Sequence, residues 1–409
     1  MKLLKVDSLE EAREKLVIEE FRKKIRKEII PLRESVGRIL AEDIVSKIMV
    51  PDFRRSTVDG YAVRARETMG ASESLPVFLD LIGEVNMGED TDLVLGPGQL
   101  IYVPTGGMLP EGSDAMVMVE YCEKFDDKSI AVYSAVAPGQ SVVNPGDDIK
   151  VGDKLISKGR KLKAQDIGVL SSMGYTTVEV YTPLTITIFS SGDEIQEADQ
   201  ELKEGMVYDI NTNALYAESL NMGLNVIRTK ILRDKEEEIY EGIFHAREYS
   251  DIVVISGGSS QGKKDMTGEI INKITNNGLI THGLAIKPGK PTITAYDRES
   301  DSFIIGLPGH PVASLLVFKL LVGWLQRYYL GLEDDYYIEA EMQGTAASDP
   351  GKLTCQMVSL EDSNKGIKAW PIFGKSGLMT TLTKSQGYTL IDRNKEGLKV
   401  GEKVKVFLL

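Results

Sequence analysis

Between Pro183 and Leu332, β-rich apolar runs alternate with stretches of helical periodicity, and this alternation restricts the fold more than any other feature of the chain. Thr185–Phe189 and Asp251–Ile255 are bare apolar runs of strand length, and Phe303–Leu307 reads the same way. Thr212–Leu220 and Met266–Thr275 read as helices and Asn225–Ile231 as a further strand. Ile239/Ile243 and Tyr240/Phe244 repeat four residues apart on another helix. Pro311 opens an apolar helical run that reaches Leu325, at the first-turn position where a helix tolerates proline. Strands separated by helices cannot pair as hairpins, so the expectation is a parallel, doubly wound sheet.

The flanking regions have other textures. Ser8-Leu9-Glu10-Glu11 reads as a capping box opening a charged helix that ends before Pro31, and Leu32–Ala41 as a second helical stretch. From Pro51 to Asn144, short apolar runs are broken by Gly and Pro, the pattern of a β domain of sandwich or barrel type. A helix is expected at Ala164–Met173, in a segment taken to pack back on the N-terminal helices. Beyond Glu333, the runs GIKAWPIF, GYTLID and KVKVFLL suggest a small β-barrel or sandwich. The expected division is a discontinuous linking domain (1–50 and 145–182), an inserted β domain (51–144), an α/β domain (183–332) and a C-terminal β domain (333–409).

Charge and cysteine content exclude several functions. With 48 Lys+Arg against 61 Asp+Glu, the net charge of −13 repels polyanions, so neither nucleic acid nor an anionic membrane is an expected partner. The run Pro311–Leu325 is shorter than the ~20 residues a membrane span needs, and it carries Lys319. Two cysteines, Cys122 and Cys355, give no disulfide framework, and three scattered histidines give no helical metal pair; a cytoplasmic setting is the simplest expectation. Both cysteines read as small buried fillers, and Met116 and Met118 as core residues of a strand.

Ligands of open parallel sheets gather outside the carboxyl ends of the strands. Gly192-Asp193-Glu194, Gly257-Gly258-Ser259 and Gly309 all follow expected strands. Consecutive glycines let backbone amides curl around phosphate oxygens, and Asp265 before the next helix is placed to hold Mg²⁺ against them; the same glycines also suit a plain tight turn. Lys287-Pro288-Gly289-Lys290-Pro291 crowds two ammonium groups, which favours a bound anion, yet it also reads as a solvated basic turn. Arg54 and Arg55 are candidate phosphate contacts and Asp59 a candidate cation or water ligand, although Asp59-Gly60 is also an ordinary turn pair.

The order of these signals is more specific than any one of them. SxxDGYA (Ser56–Ala62), PTGGxLPxGxDAxVxxE (Pro104–Glu120), PGDDI (Pro145–Ile149), SSGDE (Ser190–Glu194), SGGxSxGxxDxT (Ser256–Thr267), KPGKP (Lys287–Pro291) and GLPGxPVAS (Gly306–Ser314) follow one another along essentially the whole chain. This succession resembles the molybdopterin molybdenumtransferase family, which includes the MoeA proteins and the E domain of gephyrin. The resemblance implies a multidomain subunit: a discontinuous linking domain, an inserted β domain, a parallel α/β domain of MogA type and a C-terminal β-barrel domain. It also implies a homodimer whose active site is shared between subunits.

The reaction so implied inserts molybdate into adenylylated molybdopterin, with Mg²⁺, and releases AMP. Carried over residue by residue, Lys287, Lys290 and Ser376 would grip the oxyanion, and Gly257, Gly258 and Ser259 the phosphates. Glu194 and Asp265 would hold Mg²⁺ or polarise the pyrophosphate bond under attack, with Asp59, Thr105 and Asp148 completing an acidic rim from across the dimer. The dithiolene sulfurs belong to the ligand, so no cysteine cluster is needed. Where the family carries arginines in its C-terminal domain, this chain has Gly351-Lys352-Leu353-Thr354-Cys355-Gln356-Met357: Lys352 keeps one charge without the planar fork, and Met357 keeps none. SerThrValAspGlyTyrAla and His310 in GLPGHP are further departures. The alternatives are a paralogue specialised for tungstate, a noncatalytic scaffold of the gephyrin type, and adenylyl transfer from ATP, against which the three further domains argue.

Overall fold

The computed structural model describes residues 6–257, 266–333, 336–374, 377 and 379–409. The chain divides into two compact units, one made of Met1–Glu42, Lys158–Lys163 and Thr177–Leu409, the other of Asp43–Ser157 and Ala164–Thr176.

The centre of the first unit is the expected α/β sheet. Its six strands lie in the order Asn225–Leu232, Thr185–Ser191, Ile252–Gly257, Ser302–Leu307, Ile293–Asp297, Leu279–His282. The first four are mutually parallel and the last two add an antiparallel edge. Alternate side chains go to opposite faces, as the pleat requires. Ile186, Ile188, Ile252, Val254, Phe303 and Ile305 pack with Leu316, Phe318 and Leu325. Phe189, Val253, Ile255 and Ile304 meet Ile239, Ile243, Ile270 and Ile271 from helices Glu236–Tyr249 and Met266–Ile274. Both faces are covered, which explains why the strands read as unbroken apolar runs.

The run from Pro311 forms helices Pro311–Phe318 and Trp324–Leu330, joined by a wide π turn at Lys319–Gly323. Arg13 donates to the Leu320 carbonyl from Nε (3.1 Å) and Nη2 (2.8 Å), satisfying a backbone acceptor within the π turn. Among the described residues, no helix is long and apolar enough to cross a membrane.

The Ser8 capping box is present, but the helix it opens spans only Leu9–Lys15. Glu19–Lys24 is a separate helix, and Lys27–Pro31 is a strand antiparallel to Thr177–Tyr181. The expected helix over Leu32–Ala41 is also corrected, since only Leu32–Glu34 turns, as 3₁₀. The amides of Gly37, Leu40 and Ala41 donate to Leu162, Arg160 and Glu179 instead, so distant backbone takes the place of helical bonds.

The C-terminal region is a closed barrel. Leu353–Ser363, Gly366–Pro371, Tyr337–Met342, Lys403–Leu408 and Gly387–Ile391 pair in that order, and the last pairs again with the first. Met342, Val358, Ala369, Ile391 and Val406 fill it. Ile286–Lys287 joins this sheet in parallel to Leu353–Thr354.

The second unit contains a six-stranded sheet in the order Ala115–Met118, Gly60–Val63, Gln99–Val103, Val77–Glu84, Ser129–Val132, Cys122–Lys124. Met116 is fully buried in it, as expected of a core residue, and Met118 partly so. Helix Ala164–Ser172 belongs to this unit.

Candidate functional site

In the first unit the ends of three parallel strands converge. Gly257 closes its strand with φ +120°, and a Cβ there would lie 2.2 Å from the Ser191 carbonyl oxygen of the neighbouring strand. Only glycine lets the two strand ends approach so closely. A Cβ added at Gly309, after the third strand, would lie 3.5 Å from the Gly257 Cα. Gly257 therefore sits against Ser191, three positions before Glu194. Gly258, Ser259 and Asp265 lie outside the described residues, as does Ser376.

A buried polar network supports these strand ends. Asn211, the first residue of helix Asn211–Met222, donates from Nδ2 to Ser256 Oγ and to the Gly309 carbonyl, each at 2.8 Å. Those bonds fix the amide, and its buried Oδ1 accepts from none of the described residues. Asp209 accepts from Ser190 Oγ (2.9 Å) and from the Thr212 amide (3.1 Å), which ties the helix start to the strand Thr185–Ser191. Ser191 Oγ donates to Asp234 Oδ1 at 2.5 Å. The serines of the SSGDE and SGG motifs thus hold the strand ends. The sequence reading missed Asp209, Asn211 and Asp234; the signal for the first two was the Asp-x-Asn-x-Asn run at 209–213, just ahead of the expected helix.

Glu194 is exposed, with its Oε2 folded over Gly192, and it pairs with no cation among the described residues. Among those residues no three His, Cys, Asp or Glu side chains are grouped to hold a metal ion. A magnesium ion bound largely by phosphate oxygens needs only one or two carboxylates, and an exposed, unpaired Glu194 fits that requirement.

The two lysines of KPGKP are exposed. Lys287 Nζ lies 2.7 Å from Asp349 Oδ1, while Lys290 pairs with none of the described residues. No hydrogen bond or ion pair among the described residues joins either lysine to Glu194. Lys352 takes the other Asp349 oxygen at 3.2 Å. Hydrogen bonds from Lys287, then from Lys352, hold the Asp349 carboxyl below the ordinary aspartate range.

In the second unit, Asp59 and Thr105 come together although 46 positions separate them: Asp59 Oδ1 accepts from the Thr105 amide at 2.7 Å. Asp148 stands exposed in the turn after Asn144, where its amide donates to the Val50 carbonyl at 3.2 Å. Arg54 Nη1 is occupied by the Ser113 carbonyl (2.9 Å), so one phosphate candidate of the sequence serves the fold. Cys355 is the buried filler expected, whereas Cys122 is only partly buried because it opens the edge strand Cys122–Lys124; desolvation raises both thiols to about 12.

Comparison with known proteins covers the whole length. Residues 7–174 match the model of the MoeA N-terminal region (domain I and II), residues 187–327 the "Probable molybdopterin binding domain", and residues 339–409 the MoeA C-terminal region (domain IV). A Methanocaldococcus jannaschii protein named for molybdopterin biosynthesis is 32% identical over 100% of both chains. The molybdopterin molybdenumtransferase of Haemophilus influenzae is 34% identical over 77% of this chain and 76% of its own. A crystal structure of the molybdopterin biosynthesis MoeA protein from Pyrococcus horikoshii superposes with a TM-score of 0.84 at 30% identity, covering 99% of this chain and 100% of that one.

Proposed function

The chain belongs to the MoeA family of molybdopterin molybdenumtransferases, and from that premise we propose that it is the enzyme that inserts molybdate into adenylylated molybdopterin and releases AMP. Its place in molybdenum cofactor biosynthesis follows from the family.

Each group has a chemical task in this reaction. The oxyanion is held by ammonium groups and a hydroxyl, from Lys287, Lys290 and Ser376. Backbone amides of Gly257, Gly258 and Ser259 take phosphate oxygens at the ends of the parallel strands. Asn211 Oδ1 is an acceptor, so a ligand group that meets it is an N–H or O–H donor rather than an ionised oxygen. Glu194 and Asp265 would hold magnesium, which supplies charge neutralisation at the phosphates. Asp59, Thr105 and Asp148, contributed by a second copy of the chain, complete the rim. The bond between Asp59 and the Thr105 amide holds that carboxylate in one orientation. Catalysis is then chiefly positioning and charge stabilisation around an in-line displacement at phosphorus.

The observation that carries the reading is that seven motifs, in family order, span a chain that matches family members from end to end. The experiment is incubation of the purified protein with adenylylated molybdopterin and magnesium. AMP release triggered by molybdate is the expected result; release only with ATP would indicate adenylyl transfer, and no release would leave the scaffold reading. Running the assay with molybdate and tungstate in parallel separates the tungstate paralogue.

A further inference from the structure

Resting on the assignment of Lys287 to the oxyanion, we infer that Asp349 is a tethered competitor of that oxyanion, an internal anion that the substrate must displace. One carboxylate serves two ammonium groups, one oxygen each: Oδ1 with Lys287 at 2.7 Å and Oδ2 with Lys352 at 3.2 Å. The arrangement is built by the backbone. Asp349-Pro350-Gly351-Lys352 closes a turn through the bond from the Lys352 amide to the Asp349 carbonyl (3.2 Å). Proline stands at its second position and Gly351, with φ +76°, at its third, as a type II turn requires. Lys287 is brought to the same place by strand register, since it lies opposite Thr354 in the parallel pairing of Ile286–Lys287 with Leu353–Thr354. The Asp349 amide in turn donates to Thr354 Oγ1 at 3.4 Å.

Two lysines and one aspartate leave a net charge of +1. A tetrahedral dianion presents oxygens to the same two ammonium groups, so it and the carboxylate exclude one another. Tethering gives Asp349 a high effective concentration at this spot, which no free monocarboxylate in solution matches. Its task is to keep the lysines paired between turnovers and to set a threshold that weak anions do not cross. With Asp349 displaced but still nearby, its charge repels the dianion. At roughly 5 Å in water that repulsion corresponds to about tenfold in affinity.

The test is equilibrium dialysis of the full-length protein against sodium molybdate alone, with Asp349→Asn, Asp349→Ala and Lys287→Ala beside the wild type and thermal melts confirming that each variant folds. The expected result is about tenfold tighter molybdate binding for both Asp349 variants and about tenfold weaker binding for Lys287→Ala. Unchanged or weaker binding in the Asp349 variants, with Lys287→Ala still impaired, overturns the competitor role and leaves the lysine assignment standing. Unchanged binding in Lys287→Ala removes the lysine assignment, and the competitor role falls with it.

Discussion

Replacing Gly257 by alanine adds one methyl group at the point where two parallel strands end side by side. That methyl would stand 2.2 Å from the Ser191 carbonyl oxygen, 3.1 Å from its carbon and 3.2 Å from its nitrogen. All three atoms are backbone, so no rotamer change relieves the contact, and the strand ends must part by about 1 Å to reach normal separation. The φ of +120° adds backbone strain for any residue with a Cβ. Overpacking of this kind costs about 1–3 kcal/mol and the backbone strain a similar amount, which gives a loss of about 2–6 kcal/mol. A domain survives that loss, but a displacement of about 1 Å at a ligand-positioning strand end lowers turnover about 100-fold. Gly309→Ala is the matched control, because among the described residues its methyl meets the Gly257 Cα alone, at 3.5 Å, an ordinary contact. Urea melts followed by tryptophan fluorescence report on this unit, which holds both Trp324 and Trp370. Equal midpoints and equal AMP release for the two variants would refute the packing argument.

Two further outcomes follow from buried groups. Arg247 and Asp297 form a buried pair at 2.5 Å, so Arg247→Met is expected to cost about 3–5 kcal/mol by leaving a carboxylate uncompensated. Burial alone would raise Asp297, but hydrogen bonds from Ser300 and Arg247 outweigh it and depress its folded-state value. Its contribution is therefore full above the unfolded aspartate value and is lost as pH falls through the depressed one; acid melts of Asp297→Asn should lose that part of the slope, and an unchanged slope would count against it. With both thiols raised to about 12 by burial, iodoacetamide at pH 8 should label neither Cys122 nor Cys355 in the native protein and both after unfolding, as read by mass spectrometry.

The parts legible in the sequence are those whose signal is local. Thr185–Phe189 and Asp251–Ile255 read as strands because both faces are covered, and Ser8 and Glu11 announce their capping box within four residues. Leu32–Ala41 misled because Leu32, Val36 and Leu40 have helical spacing; yet Val36 is exposed, and the backbone bonds leave for residues more than a hundred positions away. The strand at Lys27–Pro31 was hidden for the same reason, its partner being Thr177–Tyr181. At the candidate site, glycines and lysines stand out by type. Asp209, Asn211 and Asp234 gain their meaning only when Ser190, Ser191 and Ser256 are folded against them. Asp349 is likewise an ordinary turn residue until the register of Lys287 with Thr354 brings the lysine to it.

Mixed dimers test the proposal that the pocket is shared between two copies of the chain. Asp59→Ala and Asp265→Ala subunits, each inactive alone, are unfolded together, refolded as a one-to-one mixture and assayed for molybdate-triggered AMP release. If the site draws Asp59 from one copy and Asp265 from the other, half the dimers carry one intact site, and activity returns to about a quarter of the wild-type level. A mixture as inactive as its parents would contradict a pocket built from two chains.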